Sequence, residues 1–202
     1  MGKIVVPKAP TDDFVGYEIL VGFMKERALH SLEGDIVEIG AFMGGGTIKL
    51  ARFARKHGRR VYAVDNFDPS SDRTEDASGV RMCDIYRALL GGRSLEEVYR
   101  KTTRCFDNII TINQDSQKVR FPEEQRFIFG FIDGNHQPEY VVNDFYVIWP
   151  NLVSGGALGF HDYNHGLPQL TEAIDGLIAE HKDEIGEVSE IGDRHIILLI
   201  KR

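Results

Sequence analysis

The feature that most constrains this chain is a rhythm of short apolar runs alternating with helical patterns. The runs cover 35–39, 60–64, 108–112, 127–132 and 156–160, and are rich in Val, Ile and Phe. Near-continuous runs of this length suit strands buried on both faces, as in a parallel sheet. Between them the apolar residues follow helical spacing. A helix is expected over 47–57, with Leu50, Phe53 and Ala54 on one face, and another over 138–152, with Val141, Val142, Phe145 and Ile148 in register. A third is expected over 167–181, and a fourth over 12–32 leads into the first strand. The chain closes differently: a strand over 187–191, a Gly192-Asp193 turn and a strand over 194–200 read as a hairpin. Five parallel runs and two hairpin strands make an α/β fold with a mostly parallel, seven-stranded sheet and a C-terminal antiparallel hairpin.

The 202 residues suit one domain, expected over 1–202. Residues 69–107 form a long insert between strands, with helical patches near 80–90 and 95–104 separated by Gly91-Gly92. Such inserts at the ligand edge of a sheet are lids or extra packing helices, including dimer-forming ones. A net charge of −7 disfavours nucleic acid as a partner, and the short basic runs at 55–60 and 100–101 read as solvated helix ends. No apolar run is long enough to span a bilayer, and the N-terminus lacks a charged-then-apolar leader pattern. Cys83 and Cys105 lack metal-type spacing. A cytoplasmic protein with reduced cysteines is the expectation, with no membrane partner.

The segment from Val37 to Thr47 (Val-Glu-Ile-Gly-Ala-Phe-Met-Gly-Gly-Gly-Thr) follows a strand and opens a helix. It has no lysine before Thr47, as a phosphate-binding P-loop requires, and no second glycine at 42, as a dinucleotide fingerprint requires. The spacing acid-x-Gly-x-x-x-Gly, carried by Glu38, Gly40 and Gly44, resembles motif I of class I S-adenosylmethionine-dependent methyltransferases. That resemblance implies a Rossmann-like sandwich and assigns Glu38 to the methionine half of the cofactor. Asp65, which ends the second strand, suits the ribose diol. The resemblance implies that Asp115, just after the third strand, contacts the adenine region; the alternative is that it caps a short helix. Ala41, Thr47, Asn66, Ser116 and Asp133 complete the expected cofactor contacts.

Two polar clusters follow the fourth and fifth strands: Asp133-Gly134-Asn135-His136 and His161-Asp162-Tyr163-Asn164-His165. Both belong to the carboxyl edge, where open α/β sheets bind ligands. Together with Gly155-Gly156 they resemble the macrocin and sugar O-methyltransferases, and more distantly the catechol and caffeoyl-CoA enzymes. The likeness runs over about 34–164, with the insert unmatched. It implies a small hydroxylated acceptor and a homodimer. It also implies a divalent cation, Mg²⁺ or another, held by Asp133 and Asp162 with His161 or Asn164 as third ligand. His161 stands where many relatives have a second acid. His136 stands where catechol-type enzymes carry a lysine base, and a near-neutral imidazole can take a proton from a polarised hydroxyl. His136 and Asp133 are therefore the expected catalytic pair. Competing readings are a nicotinamide- or nucleotide-binding oxidoreductase, a non-catalytic cofactor-binding module, and a methyltransferase acting on RNA or protein.

Overall fold

The computed structural model describes residue 13, residues 15–76 and residues 78–202. Seven strands, β1 (Asp35–Ile39), β2 (Val61–Asp65), β3 (Ile109–Asn113), β4 (Phe127–Ile132), β5 (Leu152–Phe160), β6 (Ile185–Ile191) and β7 (Ile196–Lys201), form one sheet. Their order is β3-β2-β1-β4-β5-β7-β6. The first five pair in parallel, and β7 pairs antiparallel with both β5 and β6. This is the expected mostly parallel sheet with its terminal hairpin. Helices α1 (Tyr17–Glu26), α2 (Gly45–Lys56), α3 (Met82–Leu90), α4 (Leu95–Thr103), α5 (Pro138–Ile148) and α6 (Pro168–Glu180) connect and cover the strands.

Alternation along β1 shows how the sheet buries both faces. Ile36 packs with Leu20 and Met24 of α1 and with Leu50 and Phe53 of α2. Val37 and Ile39 turn the other way, against Phe145 of α5 and Ile174 of α6. Successive side chains of a strand point to opposite faces, so an all-apolar strand needs helices on both sides. Glu38 therefore faces the α1/α2 layer, and it is fully buried there. A third cluster ties the insert to the sheet edge: Leu90, Leu95, Val98 and Tyr99 pack on Ala41, Met43 and Phe67.

Several boundaries differ from the sequence reading. The helix expected over 12–32 has Asp12 outside the described residues, and α1 ends at Glu26 because Ala28 takes a left-handed conformation with φ 50°. The helix expected to reach 152 stops at Ile148. Trp149-Pro150-Asn151 make a tight 3₁₀ turn, and Leu152 already belongs to β5. The hairpin turn is longer than Gly192-Asp193: Gly192–Arg194 form a 3₁₀ turn, His195 is left-handed, and β7 starts at Ile196. Cys83 is buried and Cys105 exposed, and both are free.

Candidate active site

The carboxyl ends of the parallel strands open into a cavity of about 480 Å³, a size ordinary for small-ligand sites. Its floor comes from the loops after β1, β2, β3, β4 and β5. Its roof comes from the insert, through Met82, Ile85, Tyr86 and Leu89. Six described non-glycine residues have positive φ; three of them, Phe42, Asp162 and His195, line this cavity, and Phe67 and Asn164 each adjoin a lining residue in sequence. Strained backbone of this kind persists only where surrounding contacts hold it, and it clusters at ligand sites.

Asp65 shows one such set of contacts. Its carboxylate accepts from the backbone N–H of Phe42 at 2.8 Å and from that of Phe67 at 2.6 Å, both left-handed residues. Burial raises its pKa and these N–H groups oppose the rise, leaving it at about 6. Asp65 thus fixes the two loops that flank it while facing the cavity.

The turn after β1 is dictated by close approach. Gly40 has φ 92°, and a Cβ there would stand 2.0 Å from the carbonyl oxygen of Asp133. Gly44 has φ 83° and precedes α2, and a Cβ there would meet Tyr99 and Thr103 of α4 at 3.0 Å. These glycines let the first loop pack against the fourth-strand loop and the insert. Among the expected cofactor contacts, Gly40, Asp65, Asn66, Asp115, Ser116 and Asp133 line the cavity, whereas Glu38, Ala41, Gly44 and Thr47 lie behind its wall. Glu38 accepts from the Thr47 hydroxyl at 2.5 Å, and its Oε1 has no hydrogen-bond partner. Burial dominates and raises its pKa to about 8, against the lowering effect of the nearby Thr47 and Tyr17 hydroxyls. Asp115 caps a 3₁₀ turn by accepting from the Gln117 N–H at 3.0 Å, and it also lines the cavity.

At the other end the two polar clusters meet. The His136 ring is buried between two carboxylates, with Nδ1 2.5 Å from Asp72 and Nε2 2.8 Å from Asp162. Burial opposes a charge on this ring. Asp162 and then Asp72 outweigh that and raise its pKa to about 10. His161 Nδ1 lies 3.2 Å from both Asp133 and Asp162. It too is raised to about 10, by Asp133 first and Asp162 next, against burial. Asp162, although buried, is held far below the usual carboxylate range by His136 and His161. Among the described residues, Asp133, His136 and Asp162 bring ligand-type atoms within 4.8 Å of one another. His136 is thus the histidine of that group, with His161 contacting its two carboxylates.

Sequence reasoning missed Asp72, which reaches His136 from inside the insert, and Tyr86, whose ring lies 5.5 Å from that of Phe42. It also passed over Arg194 and His195 of the hairpin turn, and left His165 without a role, although all three line the cavity. Loop residues carry no period, so only the alternation of Asp, Ser and Thr in 68–76 hinted at a structured turn.

A family model described as a methyltransferase domain matches residues 37–163, more than half the chain. The chain belongs to this methyltransferase family. The matched span holds the first loop, Asp65, Asp115 and both polar clusters, and leaves the hairpin outside. No curated protein matches the sequence. Among solved structures, the O-methyltransferase NovP superposes with TM-score 0.70 at 21% identity, covering 92% of this chain and 78% of its own. CalS11, a TDP-rhamnose 3'-O-methyltransferase of calicheamicin biosynthesis, gives 0.62 at 15%, covering 90% and 77%. MycE of the mycinamycin pathway, solved with Mg, SAH and mycinamycin VI, gives 0.55 at 15%, covering 95% of this chain and 51% of its own. The fold of this methyltransferase is the fold of those enzymes. No helix among the described residues is long and apolar enough to cross a membrane.

Proposed function

We propose that this methyltransferase takes its methyl group from S-adenosylmethionine and places it on a hydroxyl of a small molecule. The carrying observation is one roofed cavity with a ribose-type carboxylate, Asp65, at one end and the Asp133, His136 and Asp162 group at the other. The residues fit the cofactor. Asp65 would accept from the ribose diol, Asp115 and Ser116 would flank the adenine, and Gly40 leaves room for close approach. Glu38 Oε1, buried without a partner two residues before Gly40, is the acceptor that an ammonium group would satisfy. Ala41, Gly44 and Thr47 act from behind the wall by shaping the loop, and Asn66 and Asp133 complete the contacts.

The bound cofactor supplies an electrophilic methyl on a sulfonium, so the protein is left to align the acceptor and remove one proton. The polar cluster fits a divalent cation as well, because it offers carboxylate oxygens and imidazole nitrogens within one coordination shell. Asp133 and Asp162 would hold it, with His161 as nitrogen donor. A cation there would polarise the acceptor hydroxyl. The acid–base work falls to His136. Both of its nitrogens are bonded to carboxylates, so as it stands it is a cation and not a base. Turning Asp162 away from Nε2 would remove one of the ring's two charge partners. The imidazolium then gives up its Nε2 proton to solvent, and the neutral ring accepts the acceptor's proton at Nε2 while Asp72 keeps Nδ1–H oriented.

The test is formation of S-adenosylhomocysteine from S-adenosylmethionine over a panel of hydroxylated small molecules, sugars included, with and without chelator. Turnover by the wild type, lost in Asp133→Ala, is expected. Full turnover by Asp133→Ala would remove the proposed catalytic end of the cavity.

A further inference from the structure

The strand order lays out the cavity from end to end. Along the carboxyl edge the succession is Asp115 after β3, Asp65 after β2, Gly40 after β1, Asp133 after β4, Asp162 after β5, and then the turn entering β7. Neighbouring strands are ~4.8 Å apart. The β7 turn therefore lies about 10 Å beyond Asp133, on the side away from Asp65. The methyltransferase reading gives the near side to the cofactor and the far side to the acceptor, and any role for the far side rests on that reading.

Charge along this edge is lopsided. Among the described residues that line the cavity there are seven aspartates, and Arg194 is the one lysine or arginine. Its partner is Asp193, 3.9 Å away and 80% exposed, which is a weak and solvent-screened pair. Two imidazoles stand beside it on the same rim. The rings of His165 and His195 meet edge to face with centroids 3.9 Å apart, and among the described residues no hydrogen bond joins either ring to a carboxylate. The rim is also held in place. The backbone N–H of Tyr163 donates to the His195 carbonyl at 2.9 Å, tying the hairpin turn to the loop after β5. The Arg194 guanidinium lies over Gly16, with Nη1 3.6 Å from where a Cβ would stand. In a chain of net charge −7, an arginine and two imidazoles gathered on a fixed cavity rim form a site for a negative group.

We propose that Arg194, His165 and His195 form an oxyanion subsite for the methyl acceptor. The acceptor then carries a phosphate or carboxylate group about two strand spacings from the hydroxyl that is methylated. The guanidinium offers paired N–H donors to two oxygens, and the imidazole N–H groups close the site from the side. The same group would orient the acceptor so that its hydroxyl, and not its anion, faces Asp133 and His136.

The test uses the full chain at pH 7 in metal-free buffer. S-adenosylhomocysteine is titrated into wild type, Arg194→Gln and Arg194→Lys by calorimetry. Phosphate, pyrophosphate and malonate are then titrated into each loaded protein, with the His165 and His195 ring resonances as readout. S-adenosylhomocysteine affinity is expected to agree within about twofold across the three proteins. At least one oxyanion is expected to saturate the wild type, to weaken tenfold or more in Arg194→Gln, and to be largely restored in Arg194→Lys. Preference for phosphate or for malonate then says which anion the acceptor carries. Equal oxyanion binding by Arg194→Gln, or none by the wild type, overturns the subsite. A loss of S-adenosylhomocysteine affinity in Arg194→Gln also overturns it, because the guanidinium then serves the cofactor's own carboxylate. Failure of the wild type to bind S-adenosylhomocysteine is a separate result: it removes the cofactor reading, while the oxyanion titration of unloaded protein still decides whether the rim binds anions.

Discussion

Burial of Glu38 raises its pKa from 4.5 to about 8, so the folded chain prefers this carboxyl protonated. A folded pKa above the unfolded one means a contribution to stability that is complete below about 4.5 and is lost as pH rises toward 8. Glu38→Gln should therefore flatten the decline of stability between about pH 5 and 8 in the ligand-free protein, as read by denaturant midpoints. The same residue should mark cofactor binding. An ammonium group brought to Oε1 favours the carboxylate, so binding at neutral pH should release a proton and give a heat that depends on the buffer. Glu38→Gln should abolish that dependence, and a heat equal in all buffers for the wild type would separate Glu38 from the cofactor. His136 makes a second prediction at this scale. Removing it leaves Asp72 and Asp162 buried without their shared partner, so His136→Ala should cost about 3–5 kcal/mol by the rule for broken buried pairs. Thermal or denaturant unfolding checks it, and a loss under ~1 kcal/mol would mean that the triad relaxes freely.

At the scale of elements, the order of strands and helices was readable because strands buried on both faces leave unbroken apolar runs. What the sequence hid were the places where the chain turns without a marker residue. Ala28 and His195 adopt positive φ with no glycine to announce it. Ile148 and Leu152 keep helical spacing across a turn that Pro150 in fact creates. Gly40 shows the opposite case, a glycine whose reason is visible only in three dimensions. Gly40→Ala forces either the first loop or the Asp133 loop to move, so it should cost at least ~2 kcal/mol and lose cofactor binding together with stability. The insert supplies the roof through α3, and as a lid it should respond to ligand. Amide exchange over 69–91 should slow on addition of S-adenosylhomocysteine, while α6, which contributes no residue to the cavity lining, should be unchanged. Equal protection with and without ligand would make the insert a fixed packing element.

For the whole molecule, the sheet edge explains why much of the site could be anticipated from sequence. Once β1, β2, β4 and β5 are parallel neighbours, the residues after them must meet, and Gly40, Asp65, Asp133, His136, His161 and Asp162 do. Asp72, Tyr86 and Arg194 could not be anticipated in this way. They come from the insert and the hairpin turn, whose reach over the edge depends on packing and not on periodicity. The family match names methyl transfer, and the proposed reading divides the cavity between a methyl donor near Asp65 and an acceptor near His136. The most direct measurement is calorimetric titration of the protein with S-adenosylmethionine, beside Asp65→Ala of confirmed fold. The account predicts saturable one-to-one binding by the wild type, weakened at least tenfold in Asp65→Ala. Absence of binding by well-folded wild type, or equal affinity in Asp65→Ala, would contradict it.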